Sequence, residues 1–175
     1  MKDHERPPSE RSVIVFVALG SNLGDSPRNL REAMDRLEKF SAAPLLRSSL
    51  WKSTPVDCPP GSPVFVNAVV GLTPRLGETP ESLLAKLRAL EKDFGRQPKQ
   101  VLNEPRPLDL DLIAWGGKVH TAPTLTLPHP RAHLRRFVIQ PFAEVAPEFV
   151  LPGQGKSVTE LLTDLAGDEA PTKLA

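Results

Sequence analysis

The sequence predicts an α+β fold: a ferredoxin-like βαββαβ sandwich, an antiparallel sheet with helices packed on it, plus C-terminal strand and helix additions. Three observations predict it. Short β-branched apolar runs alternate with segments of helical period in the order β-α-β-β-α-β. The 20 prolines among 175 residues fall between the periodic segments and so punctuate a folded chain. Finally, no repeat and no composition shift divides the sequence. A single domain over 12–167 is expected, with a flexible extension over 1–11 and a frayed tail over 168–175.

The first strand is "SVIVFVALG", 12–20, apolar on both faces. A helix follows, with Ser26 as its cap, Pro27 at its first position and Leu30, Ala33, Met34 and Leu37 as its stripe. "LLRSSLWKS", 45–53, and "VFVNAVVGL", 64–72, are the next strands, joined by a proline-rich loop. The second helix starts at Thr79 with Pro80 and Glu81, buries Leu83, Leu84, Leu87, Leu90 and Phe94, and ends at Gly95. The loop 95–107 leads to the strand "LDLDLIAW", 108–115. Beyond it we expect a strand near Phe137–Ile139, a helical turn near Pro141–Val145 and a helix over 157–167.

Lys and Arg number 22 and Asp and Glu 21, so a net charge of +1 offers no global field for nucleic acid or anionic lipid. Cys58 is the only cysteine, so no intrachain disulfide forms, which suits a reducing compartment. No apolar run approaches the length of a membrane span, and the start lacks a signal-like apolar core. A cytoplasmic location is expected.

The chemistry concentrates on 106–115. Leu108, Leu110 and Leu112 point one way and Asp109 and Asp111 the other, about 7 Å apart along the strand. Two carboxylates so placed repel unless cations lie between them, and hard oxygen ligands suit Mg²⁺ shared with phosphates. Two such ions about 4 Å apart can clamp a phosphoryl transfer. The bland alternative is the polar outer face of an edge strand. The preceding loop carries Arg96, Lys99 and Arg106, the cations a polyphosphate needs. Its alternative is a solvated linker.

Glu91 lies on the apolar stripe of the second helix, so it bonds either a ligand hydroxyl or Arg88. His129 and His133 have the spacing of zinc ligands, but no glutamate or cysteine accompanies them; a phosphate pocket formed by His129 and Arg135 fits better. Phe65 and Asn67 share a strand face, as a flat heterocycle with a polar edge requires, or as core packing would equally produce. "GQGKS", 153–157, lacks the upstream glycine of a phosphate-binding loop, and "GSNLG", 20–24, fits a tight turn.

Taken together, "VALGSNLGD", "STPV" with "FVNAVV", "LEKDFGR", "PRPLDLDLI" and "LPHPR" through "RRFVIQPFAEVAPE" resemble the 6-hydroxymethyl-7,8-dihydropterin pyrophosphokinase family, in its order, over 17–148. That resemblance implies transfer of pyrophosphate from ATP to the hydroxymethyl oxygen of a pterin, releasing AMP, in folate biosynthesis. It assigns Asp109 and Asp111 to two Mg²⁺ ions and Arg96 and Arg106 to charge neutralisation. Arg88, Glu91, Thr126, His129 and Arg135, with Arg106 and the backbone of Leu112, would contact ATP. Ser53, Thr54, Val56, Phe65, Asn67 and Phe137 would hold the pterin. The lid stretch "PKQVLN", 98–103, departs from members that carry further arginines and a tryptophan there. ATP and the pterin are the expected partners, bound by a monomer with no nucleic acid or membrane. Two alternatives remain: an RNA-recognition module of the same element order, and a nucleotidyl transferase that would release pyrophosphate instead of AMP.

Overall fold

A computed structural model describes residues 12–174. The extension expected over 1–11 therefore lies outside the described residues, as does Ala175. Eight strands and four helices follow one another in the described chain. They are β1 (Val15–Ser21), α1 (Ser26–Glu38), β2 (Leu46–Arg47), β3 (Trp51–Ser53), β4 (Phe65–Leu72), α2 (Pro80–Asp93), β5 (Asp109–Trp115), β6 (His120–Ala122), β7 (Leu125–Leu127), α3 (Arg136–Val145), α4 (Val158–Asp164) and β8 (Thr172–Lys173).

The main sheet is antiparallel in the order β5-β1-β4-β3-β8, with β2 also paired to β4. Period-two alternation gives it two apolar faces. Val15, Val17 and Leu19 of β1, Val66, Ala68, Val70 and Leu72 of β4, and Leu110 and Leu112 of β5 pack against Leu30, Ala33, Met34 and Leu37 of α1 and Leu83, Leu87 and Leu90 of α2. The opposite face packs Phe16, Ala18, Val69 and Ile113 against Val138, Ile139 and Phe142 of α3 and Val158 and Leu161 of α4. The helices thus cover both faces, the second only in part.

Caps set the helix starts. Asp25, not Ser26, caps α1 by accepting from the Arg28 amide, while Ser26 is the first helical residue. Thr79 and Ser82 form a reciprocal capping box on α2, and Ser157 and Glu160 form one on α4.

Three expectations are corrected. Residues 137–139 form no strand; they lie inside α3, which runs through Pro141. The spacing of Val138, Ile139 and Phe142 buries one helical stripe on the sheet, and this outweighs the local β-like run. The single strand expected over 45–53 is broken into β2 and β3 around Ser48, whose hydroxyl accepts from the Val69 amide and whose own amide donates to Val69. Within the tail expected to fray, Thr172 and Lys173 instead pair with Lys52 and Trp51, extending the sheet beyond β3.

Candidate active site

The uncovered part of the second sheet face is a cavity of about 870 Å³. Its floor is set by register. Gly20 on central β1 lies between Asp109 of β5 and Asn67 of β4, and Ala18 lies between Asp111 and Val69. The Ala18 methyl and the bare Gly20 keep the floor low between Asp109 and Asp111 of β5 and Asn67 of β4. A Cβ at Gly20 would stand 3.6 Å from Asn67 Oδ1 and 3.7 Å from Phe65 Cδ1.

At the β5 edge, Asp109 and Asp111 do project from one face, as the alternation requires. Their environments differ. Arg96 Nη1 pairs with Asp109 at 2.6 Å and Arg106 Nη2 at 3.3 Å, whereas no ion pair to Asp111 forms among the described residues. Burial pushes the Asp109 carboxyl up, but the Arg106 and Arg96 guanidiniums more than offset it and hold the group below its ordinary value. Burial, joined by the Asp109 charge, pushes Asp111 up to about 6. A carboxylate so disfavoured is one a cation would stabilise.

Arg106 is held by its backbone. Its amide donates to Asn22 Oδ1 at 2.9 Å, and the Asn22 amide returns a bond to the Arg106 carbonyl at 3.1 Å. Asn29 donates to the Pro107 carbonyl at 3.2 Å. The guanidinium lies over the Phe65 ring at 5.1 Å, and its buried Nε has no hydrogen-bond partner among the described residues. The "GSNLG" turn therefore anchors the arginine loop, a role that sequence reading missed; the side-chain amides at 22 and 29 were the available signal.

His129 follows the β6–β7 hairpin. A bulge at Ile113 interrupts the β1–β5 register, and the Ile113 carbonyl accepts from the His129 amide at 2.8 Å. Burial, then Arg135 and Arg131, lower the His129 pKa below the usual histidine value. Its Nδ1 accepts from the Arg131 amide at 3.1 Å, which leaves the proton on Nε2. His129 and Arg135 line the cavity on this side.

Ser53, Thr54 and Val56 at and after the end of β3, Phe65 and Asn67 of β4, and Phe137 of α3, with Arg135 over its ring at 5.8 Å, also line the cavity. Asn67 Nδ2 donates to Ser53 Oγ at 2.7 Å, which orients the amide. Arg131, Arg136 and the segment 168–171 also line the cavity, and none of these was singled out from sequence.

The remaining expected residues lie elsewhere. Arg96 borders a smaller cavity of about 200 Å³ behind the arginine loop. Glu91 is 3% exposed and accepts from Arg88 at 2.7 Å, from Arg96 at 2.7 Å and from the Leu110 amide at 2.9 Å. A ligand contact by Glu91 therefore requires its arginine partners to move. Leu112 packs in the α1/α2 core, and Thr126 is exposed on β7. Neither side chain borders the large cavity.

Among the described residues, no group of three or more His, Cys, Asp or Glu side chains is placed to hold a metal by itself. Two carboxylates with an open cavity before them fit a hard cation that takes its other oxygens from phosphate and water. Among the described residues no helix is long and apolar enough to cross a membrane.

The family described as 7,8-dihydro-6-hydroxymethylpterin-pyrophosphokinase (HPPK) matches residues 16–147. A Synechocystis 2-amino-4-hydroxy-6-hydroxymethyldihydropteridine pyrophosphokinase is 38% identical over 85% of this chain and 74% of its own. The Pseudomonas aeruginosa protein of the same name is 38% identical over 85% of this chain and 89% of its own. The mitochondrial folate synthesis bifunctional protein of Arabidopsis thaliana is 35% identical over 75% of this chain, which spans only 23% of that longer protein. Among solved structures, wild-type Plasmodium falciparum HPPK-DHPS superposes with a TM-score of 0.67 at 11% identity, over 92% of this chain and 42% of that one. An HPPK-DHPS complex with substrates gives 0.67 at 9% identity, over 89% and 44%. At such identities the structures speak for the fold alone, a mixed α/β architecture with an antiparallel sheet and helices.

Proposed function

The chain belongs to the 7,8-dihydro-6-hydroxymethylpterin-pyrophosphokinase family, and from that premise we infer that it is an ATP-dependent pyrophosphokinase of folate biosynthesis. The hydroxymethyl oxygen of the reduced pterin bonds to the β-phosphorus of ATP. The bond from that phosphorus to the α-phosphate oxygen breaks, AMP leaves, and the hydroxyl proton is released.

The observation that carries the site assignment is the unequal carboxylate pair. Asp111, pushed up to about 6 with no ion pair among the described residues, shares one cavity with cationic side chains and with the aromatic and amide groups Phe65, Asn67 and Phe137. Asp109 and Asp111 would hold Mg²⁺ together with the nucleotide phosphates; the ion, when bound, neutralises phosphate charge and fixes phosphate orientation. Arg106 and Arg96, now spent on Asp109, are near enough to turn to phosphate oxygens as charge accumulates. His129, neutral near pH 7, would donate Nε2–H to a phosphate oxygen, and Arg135 would add positive charge. Phe65 and Phe137 would sandwich the pterin while Asn67, held by Ser53, reads its polar edge. Catalysis is then positioning and charge neutralisation, with water kept from the nucleophile's place. We also assign the central unit to the ferredoxin-like class; its support is the spatial order β5-β1-β4-β3 with helices α1 and α2 on one face.

The test is product analysis with ATP, Mg²⁺ and 6-hydroxymethyl-7,8-dihydropterin. AMP and the pterin diphosphate should appear together and only with Mg²⁺. Pyrophosphate in place of AMP would identify a nucleotidyl transferase and overturn the reading.

A further inference from the structure

The matched family region ends at residue 147, yet the cavity continues onto residues 168–171. This segment is pinned at both ends. Before it, Arg136 Nη1 donates to the carbonyls of Leu165, Ala166 and Asp168 at 3.4, 3.3 and 2.7 Å, gathering the C-terminal end of α4. After it, Pro171 is buried, Thr172 and Lys173 pair with β3, and the Leu174 amide donates to the Leu50 carbonyl at 2.9 Å. A second clamp holds the same corner from α3. Glu144 accepts from the Ser49 amide and hydroxyl at 3.1 and 2.8 Å and from Trp51 Nε1, and faces Lys173 at 3.5 Å.

Between the pins, Glu169 reaches the loop that follows β3. Thr54 Oγ1 donates to Glu169 Oε2 at 2.8 Å. Thr54 stands between Ser53, which orients Asn67, and Val56, and all four residues line the cavity. Residues 54–64 otherwise leave the sheet, since β3 stops at Ser53 and β4 starts at Phe65. The loop therefore gains a fixed point on a segment that is itself fixed.

We propose that residues 168–171 form the outer wall of the heterocycle end of the cavity, and that Glu169 is a positioning residue for the pterin, acting through Thr54. The inference rests on the functional reading above and deepens it. Glu169 sits at the rim and need not touch the pterin. Its bond sets where the loop stands when the ring arrives, so its loss is felt in pterin affinity and not at the nucleotide end, across the sheet.

The experiment measures pterin and ATP-analogue affinities by calorimetry in the full chain. Glu169→Ala should weaken pterin binding about fivefold, the worth of one hydrogen bond, and leave ATP-analogue binding unchanged. Thr54→Val should weaken it similarly, and the double variant no further, because both remove one bond. Glu169→Gln, which keeps an acceptor oxygen, should restore wild-type pterin affinity. Equal pterin binding by wild type and Glu169→Ala would overturn the inference alone, as would a matching loss of ATP-analogue affinity or additive losses in the double variant. A wild-type chain that binds no pterin would overturn the functional reading and this inference with it.

Discussion

Asp111 shows how a single residue couples stability to chemistry. Its folded-state value of about 6 lies above the ordinary 3.8, so the folded protein holds this proton more tightly than the unfolded chain does. The contribution of Asp111 to stability is therefore greatest below pH 4, declines as pH rises towards 6 and stays low above that. Asp111→Asn should then raise the stability of the metal-free protein at pH 7.5 by about 1–2 kcal/mol, an amount discounted for partial solvent access. The gain should vanish in urea titrations at pH 4, and turnover should be lost at every pH. A variant no more stable than wild type at pH 7.5 would show that the carboxylate is not strained. Glu91 presents the opposite case. It is a buried charge whose hydrogen bonds are all made within the fold. Glu91→Ala leaves the Leu110 amide without its acceptor and frees Arg96 and Arg88, so a loss of about 3 kcal/mol is expected in urea unfolding. A change under about 0.5 kcal/mol, the level of an ordinary surface substitution, would reject its structural role. The pair at 109 and 111 was legible in sequence because a strand's period is fixed. Glu91 was legible as an anomaly on an apolar stripe with Arg88 as a partner, but its bonds to Arg96 and the Leu110 amide were not, because a side chain that bonds a loop arginine and the backbone of another strand leaves no local pattern.

Among the elements, β1 carries an unusual load. Its outward side chains on the cavity face shrink from Phe16 through Ala18 to Gly20, and the cavity opens along that gradient. Gly20 has ordinary backbone angles, so its absence of a side chain serves space and not conformation. A methyl there meets only ordinary van der Waals neighbours. Gly20→Ala should therefore melt within about 2 °C of wild type, the scale of a neutral surface change. The same methyl rises from the floor between the two substrate ends, and affinity for the pterin should fall about tenfold, within the cost of overfilling a packed site. Unchanged affinity in calorimetry would mean that the ligand does not lie over β1. Strands β1, β4 and β5 and helices α1 and α2 were legible because each has a clean period and a capping or breaking residue at its boundary; the break between β2 and β3 was not, because it is set by the bonds of Ser48 to Val69 on another strand. Helix α3 was legible only in its second half, as the turn expected at Pro141–Val145: Phe137-Val138-Ile139 looks like a strand in isolation, and only the sheet beneath decides in favour of a helix there. Strand β8 is two residues long and exists through its pairing with β3, which nothing in "PTKLA" announces.

For the whole molecule, the two sheet faces divide the labour. One is closed by α1 and α2 and forms the larger core; the other is shared between the α3/α4 core and the cavity. Strands that belong fully to the first core therefore end, on their reverse side, in an unfinished polar surface: among the described residues, Asp111 has no ion pair and Arg106 Nε no acceptor. Ligands that complete that surface bind the folded chain alone and must stabilise it by mass action. At a hundredfold excess over Kd this amounts to about 2.7 kcal/mol, or roughly 5–10 °C in Tm for a chain of this size. Because the protein supplies only two carboxylates and the nucleotide carries like charge towards them, neither partner should suffice alone. Mg²⁺ or a non-hydrolysable ATP analogue given singly should each shift Tm by a small fraction of what they achieve together. The joint shift should be lost in Asp111→Ala. It should also weaken below pH 6, where the proton on Asp111 competes with the cation. A full joint shift in Asp111→Ala would mean that the nucleotide is held by the cationic side chains alone, and the carboxylate pair would then have no part in binding.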